Sequence, residues 1–537
     1  MDRVTLSYVM KHTLQKPTSR TIPALLDEIA RAQPDHEALV DEDRRWTYQQ
    51  LVSQTRDIAK SLLQLGVVHG DRVGILAGNR AEWLLTHFAI TSVGAISVGL
   101  NTWATAPELA YQLKHAGIRR LFVEPRFKDR DFLALIATAC ADFEDQNDSI
   151  DIVTFTHETF TNVLPWGEFL ASGAKVSEQS LDDAIAQVSA TDFACMLYTS
   201  GSTALPKGVP LRHHGLIDNM WEIGERQHLN TNDRLWLAVS LFWSFASVNA
   251  LFALITHRAT IVLQHHFQAT EALALISKEQ CTVIYATPNM VQALTEEQSD
   301  ANEQLATLRT GLTLGTPIQI KAVSELGVAE ICNIYGLTEA YGNTTVTDSK
   351  LPLELRVRSV GQVLPGQEII IADPVTGDPV GPMNTGEIRI RGNVTPAYWQ
   401  APEQNATAFT NDGWFCTGDL GYLDGDGFLF YRGRLKEMIK SGGINVSPAE
   451  VEQVLVQHTA VELAFVTGIP DEHLDEKVAA VIVTKARHKV TQEELADHCR
   501  QTLASYKTPR EFRFVQVAEI PLTSTGKLQR NRLVELF

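Results

Sequence analysis

Residues 192–220 read DFACMLYTSGSTALPKGVPLRHHGLIDNM. The first eight suit a strand, the next cluster is small and hydroxyl-rich in front of Lys207, and a helix is predicted from near His213. Backbone N–H groups in such a Gly- and Ser-rich turn can converge on phosphate oxygens. The hydroxyls of Thr199, Ser200, Ser202 and Thr203 add donors, and Lys207 adds a point charge. The nucleotide loop ending G-K-[ST] is absent, because Pro206 precedes the lysine and Gly208 follows it. Taken alone, the stretch is a phosphate cradle or a solvated surface turn.

The same alternation extends to both sides, from residue 21 to about 340. TIPALLDEIARAQ (21–33) and TYQQLVSQTRDIAKSLLQLG (47–66) repeat apolar residues at spacings of three and four, the period of a helix. DRVGILAG (71–78), TIVLQ (260–264), TVIYAT (282–287) and EICNIYG (330–336) are short β-branched runs bounded by turn residues. Alternation of this kind predicts an α/β fold with mostly parallel sheets covered by helices. From about 356 the texture changes: GQVLPGQEIIIADPVTGDPVGPMNTGEIRIRG (361–392) sets turns between short alternating strands and predicts an antiparallel β unit to about 430. Helices (448–458, 491–506) and strands (461–469, 477–485, 511–515) then return over about a hundred residues, enough for one compact domain. We place the boundary near Arg434–Lys436, giving an N-terminal domain 1–434 and a smaller C-terminal domain 435–537. Residues 140–150 read as a polar surface loop.

Composition narrows the class. Of 537 residues, 44% are hydrophobic and 20% charged, which fits a globular chain rather than a disordered one. No apolar run approaches the ~20 residues of a bilayer span, and the N-terminal stretch lacks the apolar core of a secretory signal. The cytoplasm is the default expectation. Six scattered cysteines without a C-x-x-C pair point to reduced core thiols. With 46 Lys and Arg against 64 Asp and Glu, the net charge of −18 argues against nucleic acid as a partner.

Four segments in order, YTSGSTALPKGV (198–209), NIYGLTEAYG (333–342), GWFCTGDLGYLDGDGFLFYRGRLKEMIKSGGINVSPAEVE (413–452) and PLTSTGKLQRNRL (521–533), resemble the adenylate-forming enzymes. That superfamily comprises acyl-CoA synthetases, nonribosomal adenylation domains and firefly luciferase. The resemblance covers residues 21–537 and implies a large domain of two helix-covered sheets plus a β-barrel-like subdomain, followed by a small mobile α+β domain. It also implies a two-step reaction. A carboxylate attacks the α-phosphate of ATP and releases pyrophosphate; a thiol, coenzyme A, then attacks the acyl-adenylate and releases AMP.

Site roles implied by the resemblance fall on matching positions. The loop Thr199, Ser200, Gly201, Ser202, Thr203 and Lys207 would wrap the β- and γ-phosphates. Tyr335 would stack on adenine, Thr338 would bond the α-phosphate and Glu339 would hold Mg²⁺. Gly315, Thr316 and Pro317 would line the adenine and acyl pocket, with Asn333, Gly336 and Tyr431 also at the nucleotide. Asp419 would accept from both ribose hydroxyls, and Arg434 would contact ribose or phosphate. Lys527 would reach the acyl carboxylate and α-phosphate during adenylation, so its loss is expected to hurt the first half-reaction far more than the second. Lys436 sits at the hinge position, and Gly442 and Gly443 would flank the thiol's path after rotation.

Departures from the family pattern bear on the substrate. Ala204 stands where relatives carry a second Gly; because Ala tolerates positive φ poorly, slower or more restricted loop closure is expected. Trp243 replaces a common His, either gating the pocket or packed in the core. No residue of 239–254 is acidic, which disfavours an α-ammonium and hence an amino acid. The candidate lining, Trp243, Phe245, Val248, Asn249, Tyr341 and Thr345, suits an apolar fatty or aromatic acid.

A stand-alone acyl-CoA ligase is therefore expected, since the sequence stops after the Lys527 motif with no carrier domain. Loading of a separate carrier protein, a catalytically silent nucleotide-binding regulator and a homodimeric state stay open. Joint retention of Lys207, Glu339, Asp419, Arg434 and Lys527 argues against silence. The pairs His213–His214 and His265–His266 lack nearby carboxylates at ligand spacing and are read as core or surface residues.

Overall fold

The computed structural model describes residues 14–141, 143, 149–199, 206–297, 304–441, 444–471, 474–486, 488–503, 505–522 and 528–537. Ser200, Gly201, Ser202, Thr203, Ala204, Gly442, Gly443, Lys527 and most of the polar stretch 140–150 lie outside them.

Two sheets carry the large domain. The first, among the described residues, has seven strands in the order Lys207–Arg212, Phe193–Thr199, Ile96–Gly99, Arg72–Leu76, Arg120–Val123, Asp151–Thr154 and Leu164–Pro165. Every pairing is parallel except that of the edge strand Lys207–Arg212. That strand is the one element absent from the reading of residues 192–220: the loop does not lead straight into the helix His213–Gln227 but turns back, placing Lys207 opposite Thr199. Gly208 and Pro210 weaken the strand signal, and an edge position tolerates both.

The second sheet has nine strands among the described residues, with a parallel centre of Glu330–Tyr335, Thr310–Thr313, Val283–Tyr285, Arg234–Leu237, Thr260–Leu263 and Glu37–Asp41. Their near-continuous burial matches the β-branched runs seen in the sequence. Helix Ile22–Ala32 buries Ile22, Leu25, Leu26 and Ile29, and helix Tyr48–Gln64 starts on a Thr47/Gln50 capping box. Helix Ala81–Ser92 is buried along its whole length, so it sits inside the molecule rather than on it.

The antiparallel unit is a four-stranded sheet, Gln367–Ala372, Gly386–Gly392, Phe415–Leu423 and Leu429–Arg434. A bridge from Gln362 to Phe428 ties it to the last strand of the nine-stranded sheet, a partial closure. Beyond it, strands Ile439–Ser441, Ile444–Val446, Val461–Asp471, Asp475–Thr484 and Glu511–Phe514 form a five-stranded sheet with helices Pro448–Leu455 and Gln492–Arg500. Its core, with Ile439, Val451, Val466, Ile482 and Leu495, is made within residues 439–512. No helix among the described residues is long and apolar enough to cross a membrane.

Candidate active site

Parallel sheets place ligands beyond the carboxyl ends of their strands. Strand Glu330–Tyr335 ends in Tyr335, and the connection from Gly336 to Thr344 folds back on itself. Gly336 makes that possible, since a Cβ there would lie 2.0 Å from Gly342 O and 2.4 Å from Asn343 Cα. From behind, buried Asn219 donates its amide to Tyr341 O and Asn343 O at 2.9 and 2.8 Å, and Gln367 Nε2 donates to Ala340 O at 3.3 Å. The connection is thus held by side chains that do not enter the site.

At one end, four of the expected residues converge. Tyr335 donates its hydroxyl to Asp419 Oδ2 at 2.9 Å and stacks on Tyr431 with ring centroids 5.9 Å apart. Arg434 Nε lies 3.3 Å from Asp419 Oδ1, an ion pair without hydrogen-bond geometry, which leaves that buried oxygen with no hydrogen-bond donor among the described residues. Burial pushes the Asp419 carboxyl up to about 6, against the pull of Arg434 and of the Tyr335 hydrogen bond. The Asp419 turn is itself braced: Glu387 accepts from Gly418 N at 3.2 Å and from Arg389 Nε at 2.9 Å, and Thr417 Oγ1 accepts from Asp419 N at 3.0 Å.

At the other end, Lys207, Thr338 and Glu339 meet residues that the sequence did not single out. Tyr398 donates its hydroxyl to Glu339 Oε1 at 2.7 Å, while the Lys207 ammonium sits 4.4 Å from the centroid of the same ring. Burial lowers the Lys207 ammonium below its ordinary value; Glu339 opposes the shift and the charge of Lys436 adds to it. Lys436 therefore lies within electrostatic reach of Lys207. Thr338 Oγ1 donates to Ser244 Oγ at 3.0 Å, joining the YGLTE connection to the segment that carries Trp243. Segment 392–399 runs along the edge strand, with Trp399 N on Gly208 O at 2.8 Å and Thr395 Oγ1 on Pro210 O at 2.7 Å.

Several expected residues have other occupations. Asn333 spends its amide on Ser359 O at 2.9 Å and accepts from Ile334 N, a brace behind Tyr335. Thr316 caps helix Pro317–Glu325 in a capping box with Gln319, next to Gly315. Tyr341 packs its ring over Gly215 and accepts from Arg212 N at 2.9 Å; Thr345 Oγ1 donates to Val360 O at 2.6 Å. Trp243 is half-buried, edge-on to Trp103 at 5.2 Å and close to Phe242 at 5.6 Å. Phe245, Val248 and Asn249 lie on the π-helical turn Phe245–Ala250, with the Phe245 ring 5.2 Å from Tyr285. Of the histidine pairs, His213 Nδ1 accepts from Ile22 N and His265 Nε2 lies 2.8 Å from Glu124 Oε1.

The missed residues, Tyr398, Ser244 and Trp103, carry no motif of their own; only their neighbours in space mark them. What the arrangement offers is a ring and a buried carboxylate with an open acceptor at one end, and a cation beside a carboxylate and a hydroxyl at the other. Such a set can hold a nucleoside and its phosphates.

The profile of the AMP-binding enzymes matches residues 26–399, and that of the AMP-binding enzyme C-terminal domain matches residues 450–527. The acyl-CoA ligase sidI of Aspergillus fumigatus is 33% identical over 549 residues, covering 98% of this chain and 92% of its own. The mitochondrial medium-chain acyl-CoA ligase ACSF2 of Mus musculus is 31% identical over 557 residues, covering 99% and 89%. In structure, the o-succinylbenzoate CoA synthetase of Bacillus subtilis in complex with its acyl-adenylate intermediate aligns with a TM-score of 0.76 at 28% identity, over 95% of this chain and 97% of that one. With both profiles matched in order and this likeness running along nearly its whole length, the chain belongs to the AMP-binding enzymes.

Proposed function

We propose that this enzyme is an ATP-dependent acid–CoA ligase acting on a carboxylic acid with an apolar body. The observation that carries the reading is the meeting, along the connection that follows strand Glu330–Tyr335, of Tyr335, Asp419, Tyr431 and Arg434 with Lys207, Thr338 and Glu339. Asp419 Oδ1, buried and lacking a hydrogen-bond donor among the described residues, is the acceptor a ribose hydroxyl would use. In the first step a carboxylate oxygen bonds the α-phosphorus, the bond from phosphorus to the bridging oxygen breaks, and pyrophosphate leaves. Lys207 neutralises charge on the departing phosphates, and Thr338 holds the α-phosphate by turning its hydroxyl proton from Ser244 Oγ to a phosphate oxygen, Ser244 then donating to Thr338 Oγ1 in return. Glu339, oriented by Tyr398, suits Mg²⁺, a hard ion that takes its other ligands from phosphate and water. Bound there, the ion would neutralise phosphate charge. In the second step the thiol of coenzyme A bonds the acyl carbon and AMP leaves.

Lys527 and the Gly442–Gly443 segment, both outside the described residues, are assigned to adenylation and to the thiol's path on the resemblance alone. Residues 435–537 are the part we take to rotate about Lys436, a reading supported by their separate core. Six unpaired thiols support a cytoplasmic home, which fractionation tests, and sedimentation tests a homodimer.

The deciding experiment is pyrophosphate release with ATP, Mg²⁺ and a panel of fatty, aryl and amino acids, with and without coenzyme A. Acid-dependent release that quickens with coenzyme A and yields a thioester is the expected result. Release stalling near one equivalent with or without coenzyme A would instead favour a carrier-protein acceptor.

A further inference from the structure

Within the candidate acyl wall, Tyr341 and Thr345 bond the backbone, whereas Asn249 keeps an amide donor in reserve. Asn249 is fully buried on the π-helical turn, a distortion often found at functional positions. Its Oδ1 faces the Tyr285 hydroxyl across a long contact of 3.5 Å, and that hydroxyl accepts from Gln227 Nε2 at 2.9 Å. Gln227 Nε2 also donates to Ile223 O at 3.2 Å, so its amide orientation is set by the helix it stands on.

The direction of the chain follows from these donors. An amide nitrogen only donates, so Tyr285 receives from Gln227 and turns its own proton toward Asn249 Oδ1. The Asn249 amide group is thereby pointed the other way, and its Nδ2 has no partner among the described residues. A Cβ built on Gly342 would stand 3.2 Å from that nitrogen, which places it against the connection carrying Thr338 and Glu339. Asn343, next to Gly342 and 2% exposed, likewise has no partner for its Nδ2 among the described residues. Two buried amide donors without acceptors are costly in a wall that apolar side chains could fill.

We propose that Asn249 Nδ2 donates to an oxygen of the acid substrate, so that the preferred acid carries a hydroxyl or carbonyl oxygen on its apolar body, away from the reacting carboxylate. The proposal rests on the acid–CoA ligase reading. Gln227, Tyr285 and Asn249 are all neutral, which favours a neutral oxygen over a second carboxylate. A site built to hydrogen-bond an oxygen rejects the analogue lacking it, because its donors are left unpaired.

The experiment measures pyrophosphate release by the full chain for acids of matched length, each supplied as alkyl, hydroxy and keto forms. The native enzyme is expected to prefer an oxygenated member by about tenfold or more in kcat/KM. In Asn249→Leu that ratio should fall toward one, and Asn249→Ser, a smaller change, should give an intermediate value. Alkyl acids preferred throughout by the native enzyme would overturn the proposal and leave the amide to a water molecule only; this is read without any variant. Equal loss on alkyl and oxygenated acids in both variants would also overturn it, as the mark of a merely structural residue. Acid-dependent release in either case keeps the ligase reading, whereas no release with any acid would overturn both.

Discussion

Tyr398 stands between two charges, its hydroxyl on Glu339 and its ring face under Lys207. A hydrogen bond to a carboxylate is worth about 1.5–3 kcal/mol, so Tyr398→Phe should raise the Mg²⁺ needed for half-maximal pyrophosphate release by about tenfold. Tyr398→Leu should add a weaker hold on pyrophosphate in the reverse reaction, because the ring under the ammonium is gone as well. Mg²⁺ titrations of both variants check this, and an unchanged requirement in Tyr398→Phe would refute it. Asp419 supplies a pH signature. Its carboxyl titrates at about 6, so below that value it gains a proton and loses acceptor capacity. AMP affinity should therefore fall by up to about tenfold per pH unit below 6. Calorimetry from pH 5 to 8 measures it, and Asp419→Asn should bind weakly and keep only the shallower dependence that AMP's own phosphate, titrating at about 6, brings to that window.

At the scale of elements, the site depends on one backbone approach. Gly336 faces Gly342 O and Asn343 Cα, rigid main-chain atoms that a new Cβ cannot push aside. Gly336→Ala should cost about 3 kcal/mol and abolish nucleotide binding, read as a lowered Tm that ATP no longer raises. The motif NIYGLTEAYG was legible because its residue types recur at fixed spacing. The edge strand Lys207–Arg212 was not, since Gly208 and Pro210 are poor strand formers and only pairing with Phe193–Thr199 makes them one. The π-helical turn Phe245–Ala250 was equally hidden: an extra residue in a helical turn changes no apolar period that a short window can register.

Across the whole molecule, two imidazoles mark where layers meet. His87 lies in the buried helix Ala81–Ser92 against Trp83 and Phe252, and its two ring nitrogens are unpartnered among the described residues. Burial, with a smaller contribution from the charge of His213, lowers it to about 3; burial first lowers His213 to about 4. Both are neutral in the fold, so the unfolded chain binds more protons below about 6.5. Stability is full above that value and declines as pH falls toward 3 or 4, by about 1.4 kcal/mol per unit for each group. Denaturant unfolding between pH 7 and 4.5 should show this slope. His87→Leu should reduce it, and an unchanged slope would place the acid sensitivity elsewhere.

The sequence by itself determined the fold class, the succession of α/β, antiparallel and α+β units and the residue types of the four motifs. Hydrophobic periods and turn residues are local, and the four motifs keep their chemistry within a few positions. Only the tertiary structure decided which of these residues meet. Tyr335 reaches Asp419 across 84 positions, Tyr398 reaches Glu339 across 59 and Thr338 reaches Ser244 across 94. That Asn333 bonds Ser359 O and Ile334 N, behind its own strand, was likewise invisible in the motif that carries it. The physical reason is common to all of them: a polar side chain acts through the donor or acceptor it faces, and chain topology chooses that neighbour.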